Sequence, residues 1–251
     1  MTVGSLFAGI GGFDLGLERA GGFTIRWQVE RDEWCRKVLA KHWPDVKRYG
    51  AIEDVDIETL EPVDVVCGGI PCQPHSIANI TRREGIDDEE RWLWPEFARV
   101  VRGLRPRVVL LENVSGIFTV NDGRAFSVIL GELASLGYDC EWDVLPATYV
   151  GALHHRKRLW LVAYPHCERL QRWKVLQDGS RQRLPRKTGL DDKLVITGAI
   201  GGTWKSDTGI RRVADGIPNR MDRLVGLGNS VVSQMVTWLG KNIATAFQGS
   251  R

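Results

Sequence analysis

The sequence predicts an α/β fold: a doubly wound, mostly parallel sheet with a small irregular insert towards its end. Two observations carry that expectation. Over the first two-thirds of the chain, short apolar runs alternate with segments of helical spacing, the pattern of strand–helix–strand units. At Pro165 the alternation stops, and as far as about Pro218 the chain is rich in Gly, Arg, Asp and Thr, with Val195–Ile200 its one apolar stretch of note.

Val3–Ala8 is an apolar run and reads as the first strand; Gly9–Gly12 breaks it as a loop, and Phe13–Ala20 follows as a short helix. Phe23–Val29 reads as the second strand. Arg31–Trp43 is a helix that stops before Pro44, because a proline pushes the residue ahead of it out of the helical region. Val63–Cys67 is the third clear strand, Trp94–Leu104 a helix that stops before Pro106, and Val108–Leu111 a strand. Ala125–Leu136 is a helix ended by Gly137. Tyr138–Val144 and Leu159–Ala163 are further strands. Beyond the insert, Val232, Met235, Val236, Leu239, Ile243 and Phe247 recur at helical spacing, so Ser230–Ala246 reads as a helix returning to the main body. The boundaries that follow are a body over 1–164, an insert over 165–220 and a C-terminal segment over 221–251.

A length of 251 residues suits one large domain or one domain with an insert. With 43% apolar and 26% charged residues, a sizeable core is expected. The five cysteines show neither a disulfide framework nor zinc spacing, which fits a reduced, cytoplasmic setting. The N-terminus lacks the basic and apolar regions of a signal peptide. No apolar run approaches the ~18 residues that a membrane span needs. Net charge is +3, unevenly placed: residues 165–220 hold twelve Lys/Arg against six Asp/Glu, hence +6, leaving −3 for the rest. A basic segment suits a polyanionic partner; on charge alone, a solvated Arg-rich loop suits it equally.

Residues 68–76 read Gly-Gly-Ile-Pro-Cys-Gln-Pro-His-Ser, directly after the strand Val63–Cys67. Cys72 therefore sits on a loop at the carboxyl end of a strand, where ligands bind in open α/β sheets. A thiol held there is placed to act as a nucleophile. Cys35, Cys67 and Cys140 stand in apolar or helical surroundings and read as inert. The Gly-rich turn Gly9-Ile10-Gly11-Gly12 after the first strand can bring backbone N–H groups close to a ligand, although it lacks the spaced G-x-G-x-x-G form. Phe7 beside it can pack on a flat ring. Glu30 ends the second strand, the usual place for an acid that holds ribose hydroxyls, so loop and acid together suggest a nucleoside-containing cofactor. A solvated helix-start carboxylate is the plainer reading of Glu30. Glu112 lies at the carboxyl end of Val108–Leu111, on the same rim as Cys72, where partial burial would let it exchange hydrogen bonds with a polar ring. His154-His155-Arg156-Lys157-Arg158 makes a basic strand entrance suited to phosphate. His75, His154 and His155 show no metal-ligand spacing, and no metal is assigned.

Taken together, these motifs resemble the DNA (cytosine-5) methyltransferase family, of the bacterial or phage type with a small target-recognition region, across nearly the whole chain. Phe7-Ala8-Gly9-Ile10-Gly11-Gly12 resembles the family's S-adenosylmethionine loop, Pro71-Cys72-Gln73 its catalytic motif, Glu112-Asn113-Val114 its cytosine-holding motif, Arg156-Lys157-Arg158 its Arg-x-Arg motif and Gly228-Asn229-Ser230-Val231 its last motif. The basic stretch between the last two corresponds to the region that recognises the target.

The resemblance implies the S-adenosylmethionine-dependent methyltransferase fold and transfer of a methyl group to C5 of a cytosine flipped out of duplex DNA. Cys72 would form the covalent bond to C6, Glu112 would hold N3 and the exocyclic amine, and Arg156 and Arg158 would orient the base and the thiol. Phe7, Ala8, Gly9, Gly11 and Gly12 would cradle the cofactor, with Glu30 on its ribose. Ile52, Pro71 and Leu93 would line the same pocket, completed by Asn229, Ser230 and Val231. DNA contacts fall on Gln73, Ser76, Arg82, Arg83 and Arg91, on His154, and on Arg181 and Arg183 in the insert. The product would be S-adenosylhomocysteine, with no metal and no membrane involved. A cognate restriction endonuclease is a possible companion, and the chain would act as a monomer.

The chain departs from the family pattern at a few positions. Where the family often has Gly-Asp-Ile, this chain has Gly50-Ala51-Ile52, so the usual aspartate contact to adenine is missing and Glu53 or Asp54 is left to substitute. Arg31 follows Glu30 in place of an aromatic residue, His154 stands for glutamine and His75 for phenylalanine. Methylation of tRNA is the second reading, but that branch's Cys-Phe-Thr signature is absent. An inactive DNA-binding relative would be expected to lack Cys72 or Glu112, and a nicotinamide dehydrogenase leaves Pro-Cys-Gln unexplained.

Overall fold

A computed structural model of the chain describes residues 1–71, 92–119, 123–152, 154–166 and 230–248. The order of elements is β1 (Thr2–Leu6), α1 (Gly12–Ala20), β2 (Thr24–Val29), α2 (Glu33–His42), β3 (Lys47–Tyr49), β4 (Val65–Gly69), α3 (Trp94–Leu104), β5 (Val108–Val114), α4 (Arg124–Ser135), β6 (Tyr138–Pro146), β7 (Lys157–Pro165) and α5 (Ser233–Gln248). The strands form one seven-stranded sheet in the order β3-β2-β1-β4-β5-β7-β6. β3, β2, β1, β4 and β5 pair in parallel. β7 runs antiparallel to both β5 and β6.

The central strands are buried on both faces, which is why they read as continuous apolar runs. Side chains alternate between two cores as strand geometry requires. Val66, Val109, Leu111, Leu159 and Leu161 join Trp94, Phe97, Ile129 and Leu133 of α3 and α4 on one side. Val65, Val108, Leu110, Trp160 and Val162 join Phe13 and Leu17 of α1 with Val236, Leu239 and Ile243 of α5 on the other. α1 and α5 touch through small residues: a Cβ on Gly240 would lie 2.7 Å from the Ala20 Cβ, and one on Gly16 would strike Val236. The Thr237 hydroxyl donates to the Gly16 carbonyl at 3.0 Å.

The expected doubly wound sheet is present, with differences in detail at β3, α2, β5 and β7, among others. β3 was not expected; Lys47-Arg48-Tyr49 is three residues long and polar, and it earns its place only by pairing with β2 at the sheet edge. α2 starts at Glu33 instead of Arg31, because the Asp32 side chain caps it, accepting the Cys35 N–H at 2.7 Å. β5 continues through Glu112 to Val114, and β7 continues to Pro165, which therefore belongs to the sheet and not to the insert. Residues 167–229, including Val195–Ile200, lie outside the described residues.

One polar cluster is sealed inside this body. Asp14, in the first turn of α1, accepts from the Ser5 hydroxyl of β1 at 3.1 Å and from Gln28 Nε2 of β2 at 2.9 Å. Burial raises its carboxyl from 3.8 to about 6, against the pull of those two donors. The folded state therefore holds the Asp14 proton where the unfolded chain releases it, and stability falls as pH rises from about 4 to about 6. The full difference is about 3 kcal/mol by the usual conversion of pKa to free energy. Asp14→Asn keeps the shape and both contacts without a charge. Urea unfolding at a series of pH values should show its advantage over wild type growing across that window and level above it.

Candidate active site

The first motif winds tightly off the end of β1. Phe7, Gly9 and Gly11 all take left-handed backbone conformations, with φ of 51, 55 and 87 degrees. Glycine suits two of these; Phe7 adopts one at a conformational cost while its ring packs against the α3/α4 core. The loop is tied down by backbone bonds, Ala8 N–H to the Val29 carbonyl at 3.1 Å and Gly11 N–H to the Ala8 carbonyl at 2.9 Å. Glu30 secures it further: Oε2 accepts the Gly9 N–H at 2.7 Å and Oε1 accepts the Asp32 N–H at 2.8 Å. Each oxygen keeps a further lone pair for another donor. A Cβ on Gly9 would meet nothing within 4 Å, so the loop borders open space.

The second part of the site lies where β4, β5 and β7 meet. Gly69 at the end of β4 is in register with Glu112 of β5, and Glu112 with Trp160 of β7. The Cβ that Gly69 lacks would lie 3.1 Å from Glu112 Oε2, 3.6 Å from Val231 Cγ2 and 3.9 Å from Phe13 Cε2. Glycine at this position lets residues from four separate parts of the chain close on one another. Arg158, at the entrance of β7, holds Glu112 through an Nε–Oε1 ion pair of 2.9 Å. Burial pushes the Glu112 carboxyl above its ordinary value, with Arg158 and Arg156 pulling the other way. Burial also pulls the Arg156 guanidinium down, aided by the charge of Arg158. A nearly buried carboxyl with a raised pKa and one guanidinium partner can donate to, or accept from, a polar ring.

The third part is the C-terminal segment. A Cβ on Gly12 would lie 2.9 Å from the Val231 carbonyl oxygen, so the first loop and the residues ahead of α5 are in direct contact. The structure thus gathers Ala8, Gly9, Gly11, Gly12, Glu30, Glu112, Arg158 and Val231 along one rim, with Ser230 beside Val231 and Arg156 two residues from Arg158. Ile52 and Leu93 are buried in the α3/α4 core, while Pro71 is partly buried and His154 exposed. Cys72, Gln73, Ser76, Arg82, Arg83, Arg91, Arg181, Arg183 and Asn229 lie outside the described residues. Sequence reasoning missed Phe13, which stands beside Gly69 and meets Trp160 edge to face at a centroid distance of 6.0 Å. No spacing pairs those two rings; they meet because α1 packs on the sheet face that carries Trp160. Among the described cysteines, Cys67 is fully buried with its thiol pushed up by burial, and burial raises Cys140 to about 12.

Residues 1–208 match the sequence model of the C-5 cytosine-specific DNA methylase family. The chain is 35% identical over 158 residues to the Type II methyltransferase M.HgiBI of Herpetosiphon aurantiacus, covering 62% of this chain and 36% of that protein. It is 31% identical over 159 residues to the Type II methyltransferase M.HhaI of Haemophilus parahaemolyticus, covering 63% and 47%. Among solved structures, that of a candidate DNA modification methyltransferase from an E. coli prophage superposes with a TM-score of 0.53 at 27% identity, over 66% of this chain and 47% of that one. The Entamoeba histolytica methyltransferase EhMeth shares the fold at a TM-score of 0.52 and 20% identity. The chain belongs to the C-5 cytosine-specific DNA methylase family. The matched part spans between 36% and 47% of the length of the two curated relatives.

The contact between Gly12 and Val231 is open to test. Gly12→Ala introduces no left-handed strain but drives a methyl group into a backbone carbonyl. It should destabilise the fold by about 1–3 kcal/mol, as overpacking does. Gly131→Ala, inside α4 where a Cβ meets nothing, should instead stabilise by about 0.5–1 kcal/mol. Denaturant midpoints of the two variants should move in opposite directions.

Proposed function

We propose that this member of the C-5 cytosine-specific DNA methylase family transfers a methyl group from S-adenosylmethionine to C5 of a cytosine flipped out of a specific duplex DNA sequence, through a covalent bond between Cys72 and C6. The observation that carries the reading is the convergence of Glu112, Arg158, the Gly-rich loop and Val231 on one part of the sheet rim. The residues fit the cofactor. The loop borders open space at Gly9, and Glu30 stands beside it with lone pairs to spare for ribose hydroxyls. Phe7 to Gly12, Glu30, Ser230 and Val231 would hold it, with Ile52, Pro71, Leu93 and Asn229 on the same side. When bound, S-adenosylmethionine supplies an electrophilic methyl group.

C5 of cytosine is a weak nucleophile and is out of reach in a stacked duplex, so the base must leave the stack at a cost of a few kcal/mol. The Cys72 thiolate adds to C6, and the electron pair of the C5–C6 double bond becomes available at C5 while charge builds at N3. Glu112 holds N3 and the exocyclic amine, and stabilises that charge in a site shielded from water. Arg158 fixes the Glu112 carboxyl in place, and Arg156 adds positive potential that favours the thiolate. Loss of the C5 proton to a base then lets the sulfur leave as thiolate. Gln73, Ser76, Arg82, Arg83, Arg91 and His154 would contact the DNA, and Arg181 and Arg183 within the insert 165–220 would take part in reading the target. The Type II relatives support a role beside a restriction endonuclease.

Two variants test the chemistry. Duplex DNA carrying 5-fluorocytosine should form a denaturation-resistant adduct with wild-type protein in the presence of S-adenosylmethionine. Cys72→Ser should form none while still binding the cofactor; an adduct formed by that variant would refute the covalent step. Glu112→Gln should lower methyl incorporation by about 100-fold or more, the scale expected for loss of a group stabilising developing charge. An unchanged rate would remove Glu112 from the reaction.

A further inference from the structure

We propose that Arg99 is a positioning residue for the nucleoside end of the cofactor site, acting by locking the Ile52–Val55 turn against α3. The inference rests on the cofactor assignment above. Arg99 Nη2 donates to the Ile52 carbonyl at 2.8 Å and Nη1 to the Val55 carbonyl at 2.9 Å. Its Nε also meets Glu96 Oε2 of the same helix, at 2.6 Å. The planar fork is the group suited to two carbonyls at once.

The turn it holds stands at the cofactor rim. Residues 50–55 follow β3, whose last residue, Tyr49, accepts the N–H of Glu30 on its carbonyl at 3.2 Å, so this strap is joined directly to the acid assigned to the ribose. On the other side of the same core, Leu93 caps the start of α3, and the Phe97 N–H donates to its carbonyl at 3.1 Å. Arg99 therefore couples the two segments that carry Ile52 and Leu93. The turn is unusual in what it offers: Ala51, at its head, has no polar side-chain atom, while Glu53 and Asp54 are exposed. A nucleoside lying against the turn would meet its backbone groups and these two carboxylates, and where both sit depends on where the turn is held. Two of its carbonyls are fixed by Arg99, which has the effect of setting the position of the rest.

The test is cofactor binding to the full chain, followed by calorimetry with S-adenosylmethionine and with S-adenosylhomocysteine. Arg99→Met should weaken both by about tenfold, the effect of losing hydrogen bonds from a charged donor. In methylation assays, the KM for S-adenosylmethionine should rise while kcat at saturation and the KM for DNA stay close to wild type. Glu96→Gln leaves both carbonyl bonds in place and should bind within about twofold of wild type. Should Arg99→Met melt below the assay temperature, Arg99→Lys, which keeps the charge but loses the fork, carries the same comparison with a smaller loss. Wild-type affinity in a folded Arg99 variant, or an equal loss in Glu96→Gln, overturns the role of Arg99 and leaves the functional reading standing. A wild-type protein that binds neither compound overturns both.

Discussion

Strand β7 runs against its neighbours, and the site depends on that reversal. In a parallel sheet every strand delivers its carboxyl end to the same rim, so the rim receives only residues that follow strands. β7 enters the sheet from that rim instead. Its first residues, Lys157 and Arg158, arrive beside the end of β5, and the pairing of Val114 with Arg158 brings the guanidinium to Glu112. Had β7 been parallel, the basic entrance would lie at the opposite edge and Glu112 would be a buried carboxyl without a cation.

Two buried carboxyl groups show how differently the fold uses the same chemistry. Asp14 lies within the body, satisfied by a hydroxyl and an amide, and burial leaves it with a raised pKa and no positive partner. It links β1, β2 and the first turn of α1, the three pieces that bracket the Gly-rich loop. Glu112 is also buried, but two arginines offset part of the desolvation, so its proton is held less firmly than burial alone would dictate. A group with opposing influences of similar origin can change its hydrogen-bonding role when a polar ring displaces solvent, which Asp14, sealed among its donors, cannot do.

Much of the fold was legible because strands buried on both faces leave short apolar runs bounded by turn residues, as Val108–Leu111 and Leu159–Ala163 do. β3 was not legible, since three polar residues at an edge carry no period. The direction of β7 was not legible either: alternation encodes which face a side chain takes, and both directions give the same alternation. At the site, the Gly-rich loop and Glu30 could be read from order along the chain. The pairing of Glu112 with Arg158 spans 46 residues; the resemblance to a family named both residues, and only the structure joins them. Arg99 shows the same limit from the other side. Its spacing from Glu96 announces a helical ion pair, and nothing in the sequence announces the two carbonyls from a turn more than forty residues earlier.

The contact of Gly12 with Val231 has a consequence for how this architecture can vary. The chain leaves the sheet after β7 and rejoins it at Val231, and both points are anchored, one by strand pairing and the other by the fit of α5 on α1. The entropy of closing a loop grows only with the logarithm of its length, so doubling the stretch between the two anchors would add about 0.6 kcal/mol. That is smaller than the cost of disturbing a single close contact in the body, such as a methyl group placed on Gly12. The rim is therefore nearly indifferent to the length of chain between Pro165 and Val231 and sensitive to single atoms where the anchored segments meet. Length can change in the first region while the close contacts of the second stay fixed.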